Sequence, residues 1–394
     1  AVNLPKLCGF KYEQINCTRT FRTTNKNELP AILSVVLRPI AKVIAMLFGR
    51  RIRLWWKNLP EDKRLVLKAW IYKNRTTLLL YFSAVLALFY VYYYSHLQET
   101  PLTGRRRFIA FTDKQYEQIV DFEYKSLLQQ FGGRLLPSSH SVCKKVENIA
   151  NRLLLANKDI HQIYDKKWSV CVVEAPDIKN AFVLPNGQIF VFTGILSAVS
   201  NDDQLGIVIA HEMSHALLGH GAELLSHAHI LDVFIISTLC LLWAVIPFDT
   251  YAAFLTWLYH KIVSVIFNLP YNRMLETEAD EIGLKLAAKA CFDVREAVVF
   301  WRKMSLTEKE EIQAIYGESD IPQMEFLSTH PSHESRAENI ESLLPKAMEI
   351  RNACNCPKLP QTDPRILFEQ MKRIVQRPTA NVIVLKQPPR PPGM

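Results

Sequence analysis

The chain has 394 residues, 49% of them hydrophobic and only 13 of them Gly, which suffices to bury one sizeable domain plus accessory segments. Its formal charge of +9 is not spread evenly: residues 1–75 hold 16 Lys and Arg against 4 Asp and Glu, a net of +12, and everything after them carries −3. The basicity belongs to one end, which excludes a chain that is basic throughout.

Within this arm, residues 31–48 are apolar but interrupted by Arg38, Pro39 and Lys42, and are followed by Arg50, Arg51, Arg53, Trp55, Trp56 and Lys57. That mixture suits a helix lying on an anionic membrane surface rather than one spanning it. Residues 76–97 contain no Asp, Glu, Lys or Arg and reach the ~20 residues a helix needs to cross a bilayer. Tyrosines at 90 and 92–94 supply an interfacial belt. We read one transmembrane helix. A nucleic-acid-binding patch is the competing reading of the basic arm; it fits poorly beside a membrane anchor, and no nucleic-acid partner is expected. The positive-inside rule puts the arm in the cytosol or its topological equivalent and the rest across the membrane, with Arg105, Arg106 and Arg107 on the far side pulling slightly against that orientation.

Further along, alternating residues flank Asn186-Gly187, a favoured tight-turn pair, and predict strands near 181–184 and 188–193, with 168–174 as a third. A small antiparallel sheet of this kind offers an edge on which an extended peptide can add as a strand; a purely structural sheet is the alternative.

The chemistry centres on His211-Glu212-x-x-His215. At 3.6 residues per turn the two His project from one helix face, close enough to bind one tetrahedral Zn²⁺ per chain, with Glu212 placed to move protons as base and then acid. Asn201 with Gln204 starts this helix and Gly219 stops it. The spacing that would continue toward a third nearby His is broken by Leu218 and Gly221, so a third ligand has to come from a distant segment. Between lie an uncharged run at 233–248, too short to span comfortably, and an apolar one at 251–269 broken by His260-Lys261. We expect two apolar helices that dip into the membrane or lie against it; a pair packed in the core is the other possibility. Glu276 and Asp280, one helical turn apart, then offer the third ligand and a carboxylate that orients a ligand His, with Arg273 as a further outer partner. A solvated acidic face shared with Glu278 and Glu281 is the plainer reading of the same residues. Finally, His330-Pro331 leads into a helix that Ser332 can cap, and His330 or Arg336 can steady an oxyanion there; an ordinary helix start is the alternative.

The eight cysteines show no CxxC or finger spacing, which argues against zinc held by thiolates. Cys291 can pair with Cys354 or Cys356 if its compartment is oxidising, but we expect unpaired buried thiols. Residues 380–385 read as a short strand and 387–394 as a Pro-rich end.

Together, His211-Glu212-x-x-His215, Glu276-x-x-x-Asp280 with Arg273 before it, His330-Pro331 with Arg336, and the 180–196 hairpin resemble the HtpX-like zinc metallopeptidases over about residues 140–345. The resemblance implies a mainly helical α+β fold: a zincin-type peptidase domain at 98–350, behind an arm at 1–75 and a membrane helix at 76–97, with a tail at 351–394. The layout is similar to that of a mitochondrial inner-membrane branch of the family. That likeness implies a single-pass protein with its arm in the matrix and its site in the intermembrane space. It also implies membrane-protein substrates, stress-activated cleavage of the inner-membrane dynamin-like fusion GTPase, quality control and self-cleavage, and it leaves a homo-oligomer open. Ala1 at the start is compatible with a removed transit peptide, though any chain boundary would look the same. Two rivals stand beside this reading: a membrane scaffold with a structural zinc, and a prenyl-protein peptidase, whose chamber needs several long apolar segments where only 76–97 clearly qualifies. The arm itself is either a sensor of lipid or membrane potential or a topology signal only.

Overall fold

The structure is a computed structural model that describes residues 37–316, 330 and 334–375. The strand expected at 380–385, the Pro-rich end, Ser332, and the cysteines at 8 and 17 lie outside the described residues. The fold is mainly helical with small sheets.

The first described helix, α1 (Arg38–Asn58), starts on a Pro in its first turn, where a missing N–H costs nothing. It does not lie alone on a surface. Its small residues Ala45 and Gly49 are buried, and a Cβ at position 49 would stand 2.2 Å from the Cys240 carbonyl oxygen. Arg38 and Lys42 reach Asp232 at 3.5 and 2.7 Å; Arg50 reaches Asp249 at 2.9 Å, and Arg53 contacts Asp249 and the Ile246 carbonyl. The helix therefore runs alongside residues 232–249, fastened by charge at both ends and by close backbone approach between. Gly49→Leu is expected to force the pair apart at a cost of about 1–3 kcal/mol, read as a lower denaturation midpoint of the full chain; an unchanged midpoint would contradict the packing.

Next come α2 (Glu61–Lys73) and α3 (Arg75–Ser95), the latter with no buried residue. A hairpin comes at once after α3: β1 (Leu97–Glu99) pairs antiparallel with β2 (Arg106–Phe108), and Phe108 stacks on Tyr93 at 5.3 Å, tying the hairpin to the end of α3. Nothing in the alternation of so short a segment announced it. Helix α4 (Asp113–Phe131) opens with a reciprocal Thr112–Gln115 capping box, and α5 (Ser141–Ala156) comes after it.

The main sheet holds β3 (Ser169–Val173), β4 (Ala181–Val183) and β5 (Gln188–Phe192) in the order β3-β5-β4. The strands stand where the pattern put them, but the sheet is mixed, not antiparallel. β4 and β5 form the hairpin through Asn186-Gly187, whereas β3 lies parallel to β5, because residues 174–180 carry the chain past the end of β5 to its other side. Alternation along β5 divides the core. Ile189 and Val191 join Val146, Leu153, Leu205 and Val208 of the adjoining helices, while Phe190 and Phe192 pack with Val120 and Tyr124 of α4.

Helix α6 (Asp202–Leu218) is the buried centre of the domain. Asn201 accepts from the Gln204 N–H at 2.9 Å, the Gln204 side chain accepts from Ser200 N, and Gly219 ends the helix at φ +71°. Helices α7 (His220–Val245) and α8 (Asp249–Val263) form the expected apolar pair, and Leu241, Phe254 and Trp257 among others are exposed rather than packed in the core. A short π-helical turn leads from α8 into α9 (Leu269–Lys289), which with α10 (Arg295–Tyr316), α11 (Glu334–Ala353) and α12 (Pro364–Val375) completes the described chain.

Among the described residues, three helical stretches are long and apolar enough to cross a membrane: Arg75–Ser95, His220–Val245 and Asp249–Lys289. Counting uncharged residues found only the first. The other two extend past the charged positions that cut the apolar runs; Asp232, for one, faces Arg38 and Lys42 rather than solvent or lipid. Cys291 and Cys356 form a disulfide, against the expectation of unpaired thiols: the turn after α9 and the end of α11 bring their Cα atoms to 5.2 Å. Cys143 and Cys171 are buried and Cys354 is exposed.

Candidate metal centre

Helices α6 and α9 cross at close range, with a Cβ at Gly283 only 2.9 Å from the His211 Cα, so the two helices meet where α6 carries its histidines. His211, His215, Glu276 and His330 there offer ligand atoms that all lie within 4.8 Å of one another. His211 Nε2 and His215 Nε2 are 3.2 Å apart, and they stand 3.3 and 3.4 Å from the Glu276 carboxylate oxygens. Those separations match the edge, about 3.3 Å, of a tetrahedron with bonds of ~2.0–2.1 Å, and two imidazoles with one carboxylate are a donor set Zn²⁺ accepts. The residues present fit the ion.

The surroundings are in part as sequence reasoning placed them. Asp280 Oδ1 lies 3.0 Å from His211 Nδ1, the side away from the ligand group, where a carboxylate fixes ring orientation. Glu212 is buried beside the histidines. His330, by contrast, stands inside the ligand group: its Nδ1 is 2.9 Å from Glu276 Oε1, and its Nε2 is 3.2 Å from Glu212 Oε1. Arg336 is buried and binds Asp280 with two nitrogens at 2.7 and 2.8 Å and Glu276 with the third at 2.9 Å. Arg273 is exposed, about one turn before Glu276 on α9, and among the described residues no side-chain contact of Arg273 reaches this group. Arg336, not Arg273, is the arginine that contacts Asp280 and Glu276.

Three contributors escaped sequence reasoning. Trp301 of α10 lies under the Arg336 guanidinium at 3.4 Å and near the His211 ring at 5.9 Å; no motif marks it, only burial. His220 Nδ1 is 2.8 Å from His215 Nδ1, and Glu278 Oε2 is 3.2 Å from His220 Nε2. Their signal was present in the sequence, since His220 follows His215 by five and Glu278 follows Glu276 by two, but Glu278 reads as part of a solvated acidic face and nothing in the spacing marks His220.

Burial shapes the proton chemistry. It would depress the His211 pKa, but Asp280 and Glu276 outweigh it and push the ring up to about 9. Burial raises the Glu212 carboxyl, and burial with the neighbouring His211 charge holds His215 well below its ordinary value. In the metal-free protein His211 is thus a cation at neutral pH, and a metal must displace its proton. Zinc uptake at pH 7.5 should release about one proton, measurable by calorimetry in buffers of different ionisation enthalpy. Because the folded pKa lies above the ordinary 6.5, the stabilisation from charged His211 is complete below pH 6.5 and lost as pH rises through about 9. Metal-free protein should therefore destabilise over that window and zinc-loaded protein should not.

Residues 142–344 match the family model for peptidase family M48. Over 361 residues the chain is 41% identical to a protein named mitochondrial metalloendopeptidase OMA1 from Danio rerio, covering 91% of this chain and 74% of that one. The Homo sapiens protein of the same name is 40% identical over 90% of this chain and 67% of its own length, and the Saccharomyces cerevisiae one 35% over 68% and 75%. The fold and site define a metallopeptidase, and the chain belongs to peptidase family M48.

Proposed function

We propose that this chain is a membrane-bound zinc metalloendopeptidase of the mitochondrial inner membrane that hydrolyses peptide bonds in membrane proteins. One observation carries the reading: His211, His215 and Glu276 converge at ligand spacing next to buried Glu212, behind a 21-residue apolar helix. The names of the relatives support the compartment.

His211, His215 and Glu276 would hold the ion, which supplies a Lewis acid that lowers the pKa of water to about 7 and polarises the scissile carbonyl. Glu212 accepts the proton of the attacking water and returns it to the leaving nitrogen, a task that suits a carboxyl whose pKa burial has raised. Asp280 orients His211, and Arg336 holds Asp280 and Glu276 together. With the guanidinium committed to two carboxylates, His330, whose Nε2 sits on the Glu212 side, is the better donor to an oxyanion. Strand β4 is an outer strand that packs beside α6, so an extended substrate adding to it would run past the metal.

The metal centre belongs in the intermembrane space; because α1 is packed along α7, the basic arm reaches the matrix only where that helix pair enters the membrane, and residues 1–75 bind anionic lipid in addition to carrying α1. Stress-activated cleavage of the inner-membrane dynamin-like fusion GTPase and self-cleavage are the activities this reading extends to. Reconstituting the full chain in bilayers with a single-span membrane protein tests the core of it: cleavage that stops on chelation and returns with Zn²⁺ is expected, and cleavage indifferent to chelation would refute it.

A further inference from the structure

The two ligand histidines are held differently at their outer nitrogens. His211 meets a carboxylate directly, Asp280 at 3.0 Å. His215 meets another imidazole. Its Nε2 faces Glu276 and His211, so in the metal-binding tautomer its proton sits on Nδ1, 2.8 Å from His220 Nδ1. His220 must then accept at Nδ1 and carry its own proton on Nε2, which points at Glu278 Oε2 at 3.2 Å. The tautomers along the line are mutually consistent: one N–H donates at each junction, and the line ends on a carboxylate.

Gly219 makes this possible. Its left-handed turn ends α6 and restarts the chain as α7, so that His220, the first residue of the new helix, is buried against the last turn of the old one. The far end of the line is fastened to the hairpin that succeeds α3. Arg105 donates to Glu278 Oε2 from Nη2 at 2.8 Å and from Nε at 3.1 Å, and to both oxygens of fully buried Glu223 at 2.7 and 2.8 Å. Thr103 donates to Glu278 Oε1, Arg107 to the Leu218 carbonyl at the end of α6, and Tyr271 to Glu223 at 2.7 Å.

We propose that His220 and Glu278 are positioning residues that hold His215 by its outer ring nitrogen, and that Arg105 anchors them to the hairpin emerging from the membrane helix. The position of the anchor is thereby read at one metal ligand. The proposal rests on His211, His215 and Glu276 being the metal site; neither His220 nor Glu278 touches the reacting atoms.

The test uses the full chain in nanodiscs, with Zn²⁺ affinity measured by chelator competition and the ligand field by Co²⁺ absorption. His220→Ala and Glu278→Gln should each weaken Zn²⁺ binding by about 10–100-fold and shift the Co²⁺ d–d bands. Arg105→Gln should weaken it in the same sense by less. His220→Asn, which places an amide oxygen where Nδ1 accepts, should recover most of the affinity, a rescue that mere space-filling would not give. Affinity and spectrum unchanged in His220→Ala, or no rescue by His220→Asn, overturns the relay while leaving the metal site standing. Failure of the unsubstituted chain to bind metal overturns both.

Discussion

Replacing Glu212 by Gln should leave zinc bound at the wild-type level and reduce peptide cleavage by about 10²–10⁴-fold, the range lost when a positioned general base and acid is removed. The amide is nearly isosteric with the carboxyl, and Glu212 is not among the atoms that converge on the ligand position, so the ion's environment is preserved. What goes is the group that can take a proton from water and return it to nitrogen. The variant also separates the enzyme from the rival scaffold with a structural zinc: a scaffold would support its membrane role equally well in both forms. Full cleavage by Glu212→Gln would remove Glu212 from the mechanism.

The second large effect is on stability. Arg336 is 4% exposed, spans Asp280 and Glu276 with three nitrogens and lies on the Trp301 ring. Arg336→Met should destabilise the metal-free protein by about 3–5 kcal/mol, because it abandons two buried carboxylates next to each other. Arg336→Lys should recover little of this, since a single ammonium cannot reproduce a planar fork that reaches both acids. Zinc should narrow the difference, as the ion supplies positive charge to Glu276. Denaturation midpoints of the chelated and zinc-loaded variants give the comparison, and a chelated Arg336→Met protein as stable as wild type would contradict the clamp.

How much of this was legible beforehand depended on whether a residue's role was written in local spacing. His211, Glu212 and His215 fall within one helical turn, and Glu276 and Asp280 share a face of another helix, so period alone groups them. The β4–β5 hairpin was visible for the same reason, through alternation about Asn186-Gly187. What local spacing cannot convey is which segments meet. The parallel seat of β3 depends on a crossover that has no periodic signature. The partnership of α1 with α7 depends on Gly49 finding the Cys240 backbone, and on Asp232 and Asp249 lying at the right heights to receive four basic side chains. Glu278 sat in an acidic stretch that reads as surface; His220 and the return of Thr103 and Arg105 from a segment more than 170 residues earlier turn it inward. Arg273 shows the converse, since nearness in sequence to Glu276 did not bring it to the site.

The apolar helices bear on where the site works. α3 has no buried residue, and α7 and α8 present Leu241, Phe254 and Trp257 outward, so the metal centre lies on a domain flanked by surfaces suited to lipid. A peptidase so placed would meet membrane-protein segments near where they leave the bilayer, and the β4 edge would accept them in extended form.

In the proposed centre, two histidines of α6 and one glutamate of α9 hold a catalytic zinc. Zinc K-edge X-ray absorption on the purified full chain tests it most directly. One zinc per chain with imidazole nitrogens and carboxylate and water oxygens at ~2.0–2.1 Å, lost on Glu276→Ala, is the result expected. A chain without zinc, a sulfur-containing shell, or a shell unaffected by Glu276→Ala would contradict it.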